Sequence, residues 1–236
     1  YIYTRGYMRA PISIVIPTLN SARDLPVTLL SLMEGLDANL IYEVVISDGG
    51  STDETKEIAS EWGAAWLEGP SSRGGQLKRG VAHARGSWIF VLHADTFLQE
   101  GWSEDVASYF HKGPLCFSLA FRAQGLAPRL VECWANLRSS VLGLPFGDQG
   151  LILSRNDYDR AGGYPDQPLM EDVALVLALT AKIRRLSSRA FTDAEKYKAD
   201  GWVRRGAQNI LILLRYFGGA SAEALSREYQ SSVDPN

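Results

Sequence analysis

Asp95 stands shortly after the apolar run 88–92, and His93 lies two residues before it. Hard divalent cations bind carboxylate oxygens and bridge them to diphosphate oxygens. Imidazole suits Mn²⁺ better than Mg²⁺. We therefore expect Asp95 to contact a diphosphate or a divalent metal, Mn²⁺ or Mg²⁺. Two interpretations stay open for His93: a second metal ligand, or a buried core histidine that is hydrogen-bonded inside the protein.

A pair of acids, Glu171 and Asp172, directly precedes the apolar segment 173–181, which has the composition of a helix. Acids in a first helical turn are favoured by the helix dipole, and this alone explains their position. The functional alternative is a general base, because a hydroxyl becomes a good nucleophile only as its proton is removed.

Asp48 lies in the polar segment 47–53, which holds two glycines and follows the apolar run 42–47. Its carboxylate can accept a hydrogen bond from an N–H of a nucleobase, and the glycines let a flat ligand approach the backbone. Alternatively, this segment is only the loop before a helix, with Ser51 and Glu54 forming a capping box.

Cations and small residues mark two further segments. Arg73 and Lys78 lie among three glycines, where they could neutralise a diphosphate or simply face solvent. The segment is no P-loop, because GxxxxGK[ST] is absent. Asp148 and Gln149 lie between Gly147 and Gly150, in a segment that either lines an acceptor pocket or forms a turn. We expect both residues, together with Trp134, to contact an acceptor substrate, which is the molecule whose hydroxyl a general base would activate.

The elements that must position these residues alternate along the first hundred residues. Strands at 12–16, 42–47, 64–67 and 88–92 alternate with helical segments at 25–36, 51–62 and 75–84. This pattern predicts an α/β fold with a mostly parallel central sheet flanked by helices. Ligands bind such sheets at the carboxyl ends of the strands, which here are all polar or turn-forming.

The second half of the chain is less regular. Strands are expected at 116–121 and 150–154, and helices at 128–142, 173–181, 201–217 and 222–230. Leu130, Trp134, Leu137 and Val141 share one side of the helix 128–142. No long linker of Pro, Gly and Ser divides the chain. We expect one domain over residues 1–198 and a C-terminal helical extension, 199–236, packed on it.

Composition and charge limit the classes of protein to which this chain can belong. The chain is 46% hydrophobic and 22% charged, with a net charge of −3, so a nucleic-acid partner is not expected. Residues 1–9 lack the apolar core of a signal peptide, and no apolar run approaches the about 20 residues of a spanning helix. Cys116 and Cys133, without a CxxC motif, are expected to be buried free thiols, and one disulfide between them is the alternative. Together these features favour a cytoplasmic protein.

The helix 201–217 combines an apolar face with arginines. Its apolar residues include Ile210, Leu211, Leu214 and Phe217. They predict core packing or a homodimer contact, and peripheral contact with the inner face of a membrane is the alternative.

Taken in order, the polar segments form one pattern: Pro17-Thr18-Leu19-Asn20, then 48–53, then the glycine- and alanine-rich 80–86, then 93–95, then Glu171-Asp172. Over residues 12–180 this pattern resembles glycosyltransferase family 2. The runs LHADT, GLPFGDQG and GGYPDQPLMED are similar to a bacterial subgroup described as "transferase 2, radical-SAM/selenodomain-associated".

The resemblance implies a GT-A fold and transfer of a sugar from a nucleoside-diphosphate sugar, with UDP as the default donor, to an acceptor of unknown identity. It implies a divalent metal at Asp95, the last Asp of the family's DxD, where His93 replaces the first. Asp172, with Glu171 beside it, would be the catalytic base, and the reaction would invert the anomeric centre. It further implies a nucleotide-binding set: Pro17, Thr18, Asn20, Asp48, Arg73, Gln76, Lys78 and Ala94.

The sequence departs from the family pattern in two places. Gly49 replaces the second Asp of the family's pair, and the segment 201–205 lacks the Gln of the QxxRW motif, so polymer synthesis is not implied. Two alternative functions stay open: a nucleotidyltransferase that makes the activated sugar, and a non-catalytic protein that binds it. The first would need a glycine-rich basic loop after the first strand, where this chain has Pro17-Thr18-Leu19-Asn20.

Overall fold

The computed structural model describes residues 10–233, with side chains described as far as residue 229. The expectation about a signal peptide in residues 1–9 lies outside this range. The elements are β1 Ile12–Thr18, α1 Leu25–Ser31, α2 Met33–Asp37, β2 Ile41–Asp48, α3 Thr55–Glu61, β3 Ala65–Glu68, α4 Arg73–His83, β4 Trp88–Val91, β5 Thr96–Leu98, α5 Trp102–Tyr109, β6 Leu115–Phe121, α6 Leu126–Leu142, β7 Leu151–Ser154, α7 Arg155–Arg160, α8 Glu171–Ala178, β8 Arg184–Thr192, α9 Glu195–Asp200, α10 Trp202–Phe217 and α11 Ala222–Val233.

The described strands form one eight-stranded sheet in the order β3-β2-β1-β4-β7-β6-β8-β5. The first four strands of this order are parallel, as the alternation of strands and helices predicts. β7 then runs antiparallel to both β4 and β6. β8 is parallel to β6, and β5 closes the sheet antiparallel to β8. The predicted α/β fold is confirmed, and its parallel pairings are concentrated in the first half of the chain.

The sheet is covered by helices on both faces. One core cluster contains the large buried residues Phe90, Trp102 and Phe117, and a second lies under α4 and α8 around Val15, Leu77 and Leu175. Burial of aromatic and β-branched side chains on both faces fits strands that are apolar throughout, such as β4 and β6. Because β1, β2 and β4 are parallel neighbours, their carboxyl ends meet at one edge of the sheet.

The N-terminal end of α3 corrects the predicted capping box. The helix begins at Thr55, whose backbone N–H donates to Asp53 Oδ1 at 3.1 Å. The Ser51 hydroxyl instead donates to Asp48 Oδ1 at 2.5 Å, so Ser51 belongs to the loop. The predicted helix 25–36 is likewise two helices, α1 and α2, joined at Leu32.

The orientation of α6 is also unexpected. Its apolar side, predicted from Leu130, Trp134, Leu137 and Val141, is exposed. Its inner side is polar and holds the turn 147–149, since the Ser139 hydroxyl donates to Gln149 Oε1 at 2.6 Å. Cys133 is exposed as well, against expectation, whereas Cys116 is buried.

The C-terminal helices cover the start of α8. Ile212 and Leu213 of α10 and Leu225 of α11 form one buried cluster with Met170 and Val173. The boundary at residue 198 between a domain and an extension stays a prediction. None of the helices within residues 10–233 combines the length and the apolarity needed to cross a bilayer.

Candidate active site

Two loops at the carboxyl edge of the sheet are hydrogen-bonded to each other. The backbone N–H of Asn20 donates to the Ser51 hydroxyl at 2.8 Å, and Asn20 Oδ1 accepts from the Thr52 N–H at 2.8 Å. Asn20 has a φ of 50°, a left-handed conformation that Asn tolerates better than most residues. The loops after β1 and β2 thus form one unit.

Asp48 is the centre of this unit. Its carboxylate is fully buried and accepts hydrogen bonds from the Thr18 and Ser51 hydroxyls and from the N–H groups of Gly50 and Ser51. Burial alone would raise the pKa of Asp48, but the bonds from Ser51, Thr18 and Gly50 hold that pKa below its usual value. Asp48 therefore shapes the loop; its direct contact with a base stays a prediction.

Side chains of α4 are hydrogen-bonded to the same loops. Gln76 Nε2 donates to the carbonyls of Thr18, at 2.7 Å, and Ser47, at 3.0 Å. A Cβ on Gly49 would lie 3.0 Å from Gln76 Oε1, so the glycine allows this close approach. Arg79 donates to the Asp48 carbonyl at 2.6 Å. Lys78 points to solvent and lines neither of the clefts described next.

A cleft of about 590 Å³, the larger cleft, opens above these loops. It brings together residues that are far apart in sequence, from the ends of β1 and β4, the start of α4 and the start of α8. Of the predicted site residues, those lining it are Pro17, Thr18, Asn20, Arg73, Gln76, His93, Ala94, Asp95 and Glu171.

A second cleft of about 170 Å³, the smaller cleft, adjoins the first. Its lining includes Asp148 and Asp172, neither of which lines the larger cleft. The two clefts share the following residues: Arg73, His93, Asp95, Glu171, Asp193 and Lys196. The site is therefore a pair of connected clefts with charged residues at their junction.

Asp95 and His93 form part of this junction, in the turn between β4 and β5. Both are half-buried. Among the described residues no hydrogen bond of the His93 ring is found, which favours the metal-ligand interpretation over a hydrogen-bonded core histidine. The described residues contain no group of three or more His, Cys, Asp or Glu side chains that could hold a metal. The donor set fits a cation that takes most of its ligands from phosphate and water, with Asp95 and His93 as candidate protein ligands.

The acid pair occupies the first turn of α8, after Met170, which has a φ of 63°. Asp172 is half-buried, and its Oδ2 accepts from the Gly147 N–H at 2.6 Å while its Oδ1 accepts from the Val173 N–H at 2.8 Å. These two backbone donors fix the orientation of the carboxylate.

Glu171 differs from its neighbour in environment. It is 5% exposed, and its Oε2 is buried without a hydrogen-bond partner among the described residues. Burial and the nearby Asp172 raise the pKa of Glu171 to about 7, and Arg73 acts in the opposite direction. A buried carboxyl with a raised pKa beside a cleft is typical of functional sites.

The residues predicted for the acceptor lie in three different places. Asp148 lines the smaller cleft, and burial raises its pKa although Arg138 and His93 oppose the shift. Gln149 is fully buried, and its Nε2 donates to the Phe117 carbonyl at 3.1 Å, so it supports the turn. Trp134 is exposed on α6 and lines neither cleft.

Several residues of the smaller cleft were missed from the sequence. Lys196 of α9 lines both clefts, and loss of hydration together with the charge of Arg73 lowers its pKa. Arg205 is buried between Asp200 and the Tyr229 hydroxyl, and Asn209 donates to the Tyr197 hydroxyl at 2.9 Å. These residues follow β8, and no spacing in the sequence connects them with the strand ends at β1, β2 and β4.

Comparison with known proteins agrees with this geometry. Residues 13–132 match the profile of the family described as "Glycosyl transferase family 2". A glycosyltransferase of PGL/p-HBAD biosynthesis from Mycobacterium bovis is 39% identical over 101 residues, and this match covers 39% of each chain. The matched part of this chain thus spans well under half the length of that relative.

Solved structures share the fold at low identity. A mannosyltransferase from Pyrobaculum calidifontis, in complex with GDP-Man and Mn²⁺, has a TM-score of 0.64 at 17% identity. That match covers 96% of this chain and 69% of the other. Residues 1–349 of S. aureus TarS, in complex with UDP-GlcNAc, have a TM-score of 0.57 at 15% identity, covering 78% of this chain and 58% of that one. The matched profile spans half of the sequence, and the chain belongs to glycosyl transferase family 2.

Proposed function

We propose that this protein transfers a sugar from a nucleoside-diphosphate sugar to an acceptor hydroxyl, with the donor in the larger cleft and the acceptor in the smaller cleft. The observation that carries the proposal is the junction of the two clefts. Asp95 borders both clefts, whereas Asp172 borders only the smaller one. A reaction between two bound molecules needs such a shared wall, with a base on the acceptor side.

The diphosphate of the donor is assigned to the junction. Arg73 and Lys196 supply positive charge there. Asp95, with His93 beside it, would hold a divalent cation, Mn²⁺ or Mg²⁺, which would offset the negative charge of a diphosphate. The solved structures named above contain donors with different bases, UDP-GlcNAc and GDP-Man. We take a UDP-linked donor as the first to test.

Asp172 is the proposed general base. The acceptor oxygen attacks the anomeric carbon and the bond from that carbon to the diphosphate oxygen breaks. The acceptor proton moves to Asp172, and the nucleoside diphosphate leaves with the electron pair. Attack from the face opposite the leaving group inverts the anomeric centre. Fixed hydrogen bonds from Gly147 and Val173 support this role, because a base works best when it is already oriented.

Glu171 is proposed to act beside the base without taking the proton from the acceptor. Its buried carboxyl, with a pKa near 7, can be neutral when an anionic donor enters the larger cleft. A neutral carboxyl there avoids repulsion of the diphosphate.

Two other functions are weaker candidates. A nucleotidyltransferase would need a glycine-rich basic loop after β1, and here that place is taken by the loop that Asn20 ties to Ser51 and Thr52. A non-catalytic nucleotide-sugar binding protein would have no use for a carboxylate oriented as Asp172 is. The narrower resemblance to the "transferase 2, radical-SAM/selenodomain-associated" subgroup is also a proposal, and it names no substrate.

The test is a panel of UDP-, GDP- and dTDP-sugars, each with and without Mn²⁺, in which nucleoside diphosphate release and product mass are measured with a mixture of hydroxyl acceptors. The expected result is release of nucleoside diphosphate with a stoichiometric glycosylated product. Pyrophosphate release from a nucleoside triphosphate and a sugar phosphate would identify a nucleotidyltransferase. Donor binding without turnover across all acceptor classes, including lipid-linked ones, would identify a binding protein.

A further inference from the structure

The outward side of α6 carries a row of exposed apolar side chains, the α6 stripe. These residues are Leu126, Leu130, Trp134, Leu137 and Val141. Their spacing of three or four places them on one face of the helix. Leu126 is 80% exposed and Leu130 is 72% exposed. The helix is therefore amphipathic with its apolar side outward.

α10 carries a second row of the same kind, the α10 stripe, formed by Val203, Ile210, Leu211, Leu214 and Phe217. The two stripes are neighbours, because Trp134 of α6 and Ile210 of α10 line one small groove between the helices. Apolar surface gathered on two adjacent helices is unusual for a free surface and marks a site of interaction.

The exposed charged residues on the two helices that carry the stripes have one sign. The exposed charged residues on α6 and α10 are Arg129, Arg204 and Arg215, and neither helix has an exposed Asp or Glu. Arg215 also pairs with Glu228 of α11. Arg129 and Arg204 therefore give the two helices a positive outer side, on a protein whose whole chain has a net charge of −3.

A cleft of about 480 Å³, the arginine cleft, flanks α6 on its other side. Arg184, Arg185 and Arg189 of β8 line it. Within the described residues none of the three pairs with a carboxylate, and Arg185 donates to the hydroxyls of Ser140 and Ser118. The carboxylate of Glu132, which also lines the cleft, accepts from the Phe121 N–H at 2.7 Å. α6 thus lies between an apolar neighbour, α10, and a cleft with three arginines.

We propose that the α6 stripe, the α10 stripe and the arginine cleft together dock on the surface of a bilayer that contains anionic lipids. The apolar side chains would enter the boundary between headgroups and acyl chains, and the arginines would contact lipid phosphates. Trp134 suits this boundary, since an indole is apolar with one polar edge.

A second copy of this chain fits the surface less well than a bilayer. A two-fold interface places the same patch on both sides. It would bring arginines toward arginines, without exposed acids on α6 or α10 to pair with them. An anionic lipid surface supplies the opposite charge. The groove between α6 and α10 also shares Phe146, Asp148, Tyr197 and Asn209 with the smaller cleft, so docking turns that cleft toward the lipid.

The experiment is flotation of the whole protein with vesicles of phosphatidylcholine alone or of phosphatidylcholine with phosphatidylglycerol. The wild type is expected to float with the anionic vesicles, and less so as salt is raised. L137E and L214E should each lower the bound fraction at least about tenfold, because each places a carboxylate in the apolar boundary. R184Q and R189Q should each weaken binding to anionic vesicles about fivefold.

L30E is the matched control. Leu30 is 62% exposed on α1, which packs on β5, and the same change there should leave flotation unchanged. All of these positions are exposed, so thermal unfolding should show that each variant still folds. Tryptophan quenching by brominated lipid, largely lost in W134F, gives a readout that needs no destabilising change.

Wild-type protein that stays below the anionic vesicles at low salt would overturn the proposal. So would a dimer, seen by light scattering, that L137E converts to a monomer while the vesicles recruit neither form. Equal loss of flotation in L30E and L137E would also overturn it, because binding would then not depend on this surface.

Discussion

The backbone N–H of Gly147 donates a 2.6 Å hydrogen bond to Oδ2 of Asp172. The same glycine faces the imidazole of His93: a Cβ at position 147 would lie 2.5 Å from His93 Nε2. One residue without a side chain therefore lets the proposed base and the histidine of the β4–β5 turn approach the same stretch of backbone. The polar inner face of α6 holds this stretch in place through Gln149.

Gly147→Ala should disturb the site more than the fold. The added methyl group forces the His93 ring to move, and overpacking of this kind costs about 1–3 kcal/mol. We expect transfer to fall at least about tenfold, and donor binding with Mn²⁺ to weaken as well, because His93 borders the donor cleft beside Asp95. Urea unfolding and steady-state kinetics measure the two effects. G206A, where a Cβ would meet only ordinary contact at 3.9 Å, is the control. Wild-type kcat in G147A would show that the position of His93 is unimportant.

Asp172→Asn should keep donor binding and lose transfer by about 10²-fold or more, which is the usual contribution of a general base. The amide has the size of the carboxylate but cannot take the proton. Initial rates and calorimetric donor binding, compared with D37N at the exposed end of α2, measure this. An unchanged rate in D172N would remove Asp172 from the role of base.

Asp95→Ala should abolish the tightening of nucleoside diphosphate binding by Mn²⁺. We expect that tightening to be at least about tenfold in the wild type. A bound metal offsets the negative charge of the phosphates, and this contributes roughly several kcal/mol. Calorimetry with and without Mn²⁺ gives the comparison, and D159A, at an exposed position of α7, should behave as wild type. Metal-dependent tightening that survives in D95A would show that other residues hold the cation.

Glu171→Gln should change how stability depends on pH. The pKa of Glu171 is raised from 4.5 to about 7 in the folded protein, mainly by burial. Its neutral form therefore stabilises the fold below pH 4.5, and this contribution is lost as the pH rises through about 7. From the shift in pKa, the loss in the free energy of unfolding is at most about 3 kcal/mol.

Urea unfolding between pH 4.5 and 8 should show a smaller fall in the free energy of unfolding for E171Q than for wild type. E61Q, at an exposed position of α3, should follow the wild type, and parallel curves for all three would contradict the raised pKa.

The parallel half of the fold could be predicted from the sequence because its units are local. Each strand from β1 to β4 is a short apolar run that ends in polar residues, and strand ends in a parallel sheet share one edge. The structure accordingly brings Thr18, Arg73, Asp95 and Glu171 to one cleft. β8 could not be predicted, because its inward positions include the small residues Ser188 and Ala190, which weaken the apolar alternation.

The rest of the site depends on contacts that spacing does not encode. An apolar stripe normally predicts a buried face, but α6 buries Arg138 and Ser139 because both donate hydrogen bonds to Gln149 Oε1 in the turn 147–149. Lys78 matched a motif position but faces solvent, whereas Lys196, from a helix after β8, lines both clefts. Such placements follow from how distant elements pack.

The pairing of β5 with β8 has a consequence for how the protein assembles. β5 follows Asp95 directly, yet its neighbour in the described sheet is β8, with Thr96 opposite Thr192. Closing so long a stretch of chain is slow compared with forming the local units of the parallel half. During synthesis, the turn that carries Asp95 therefore gains its final support only after β8 has left the ribosome. A fragment ending at residue 132 would retain the matched family segment but leave β5 without its partner strand.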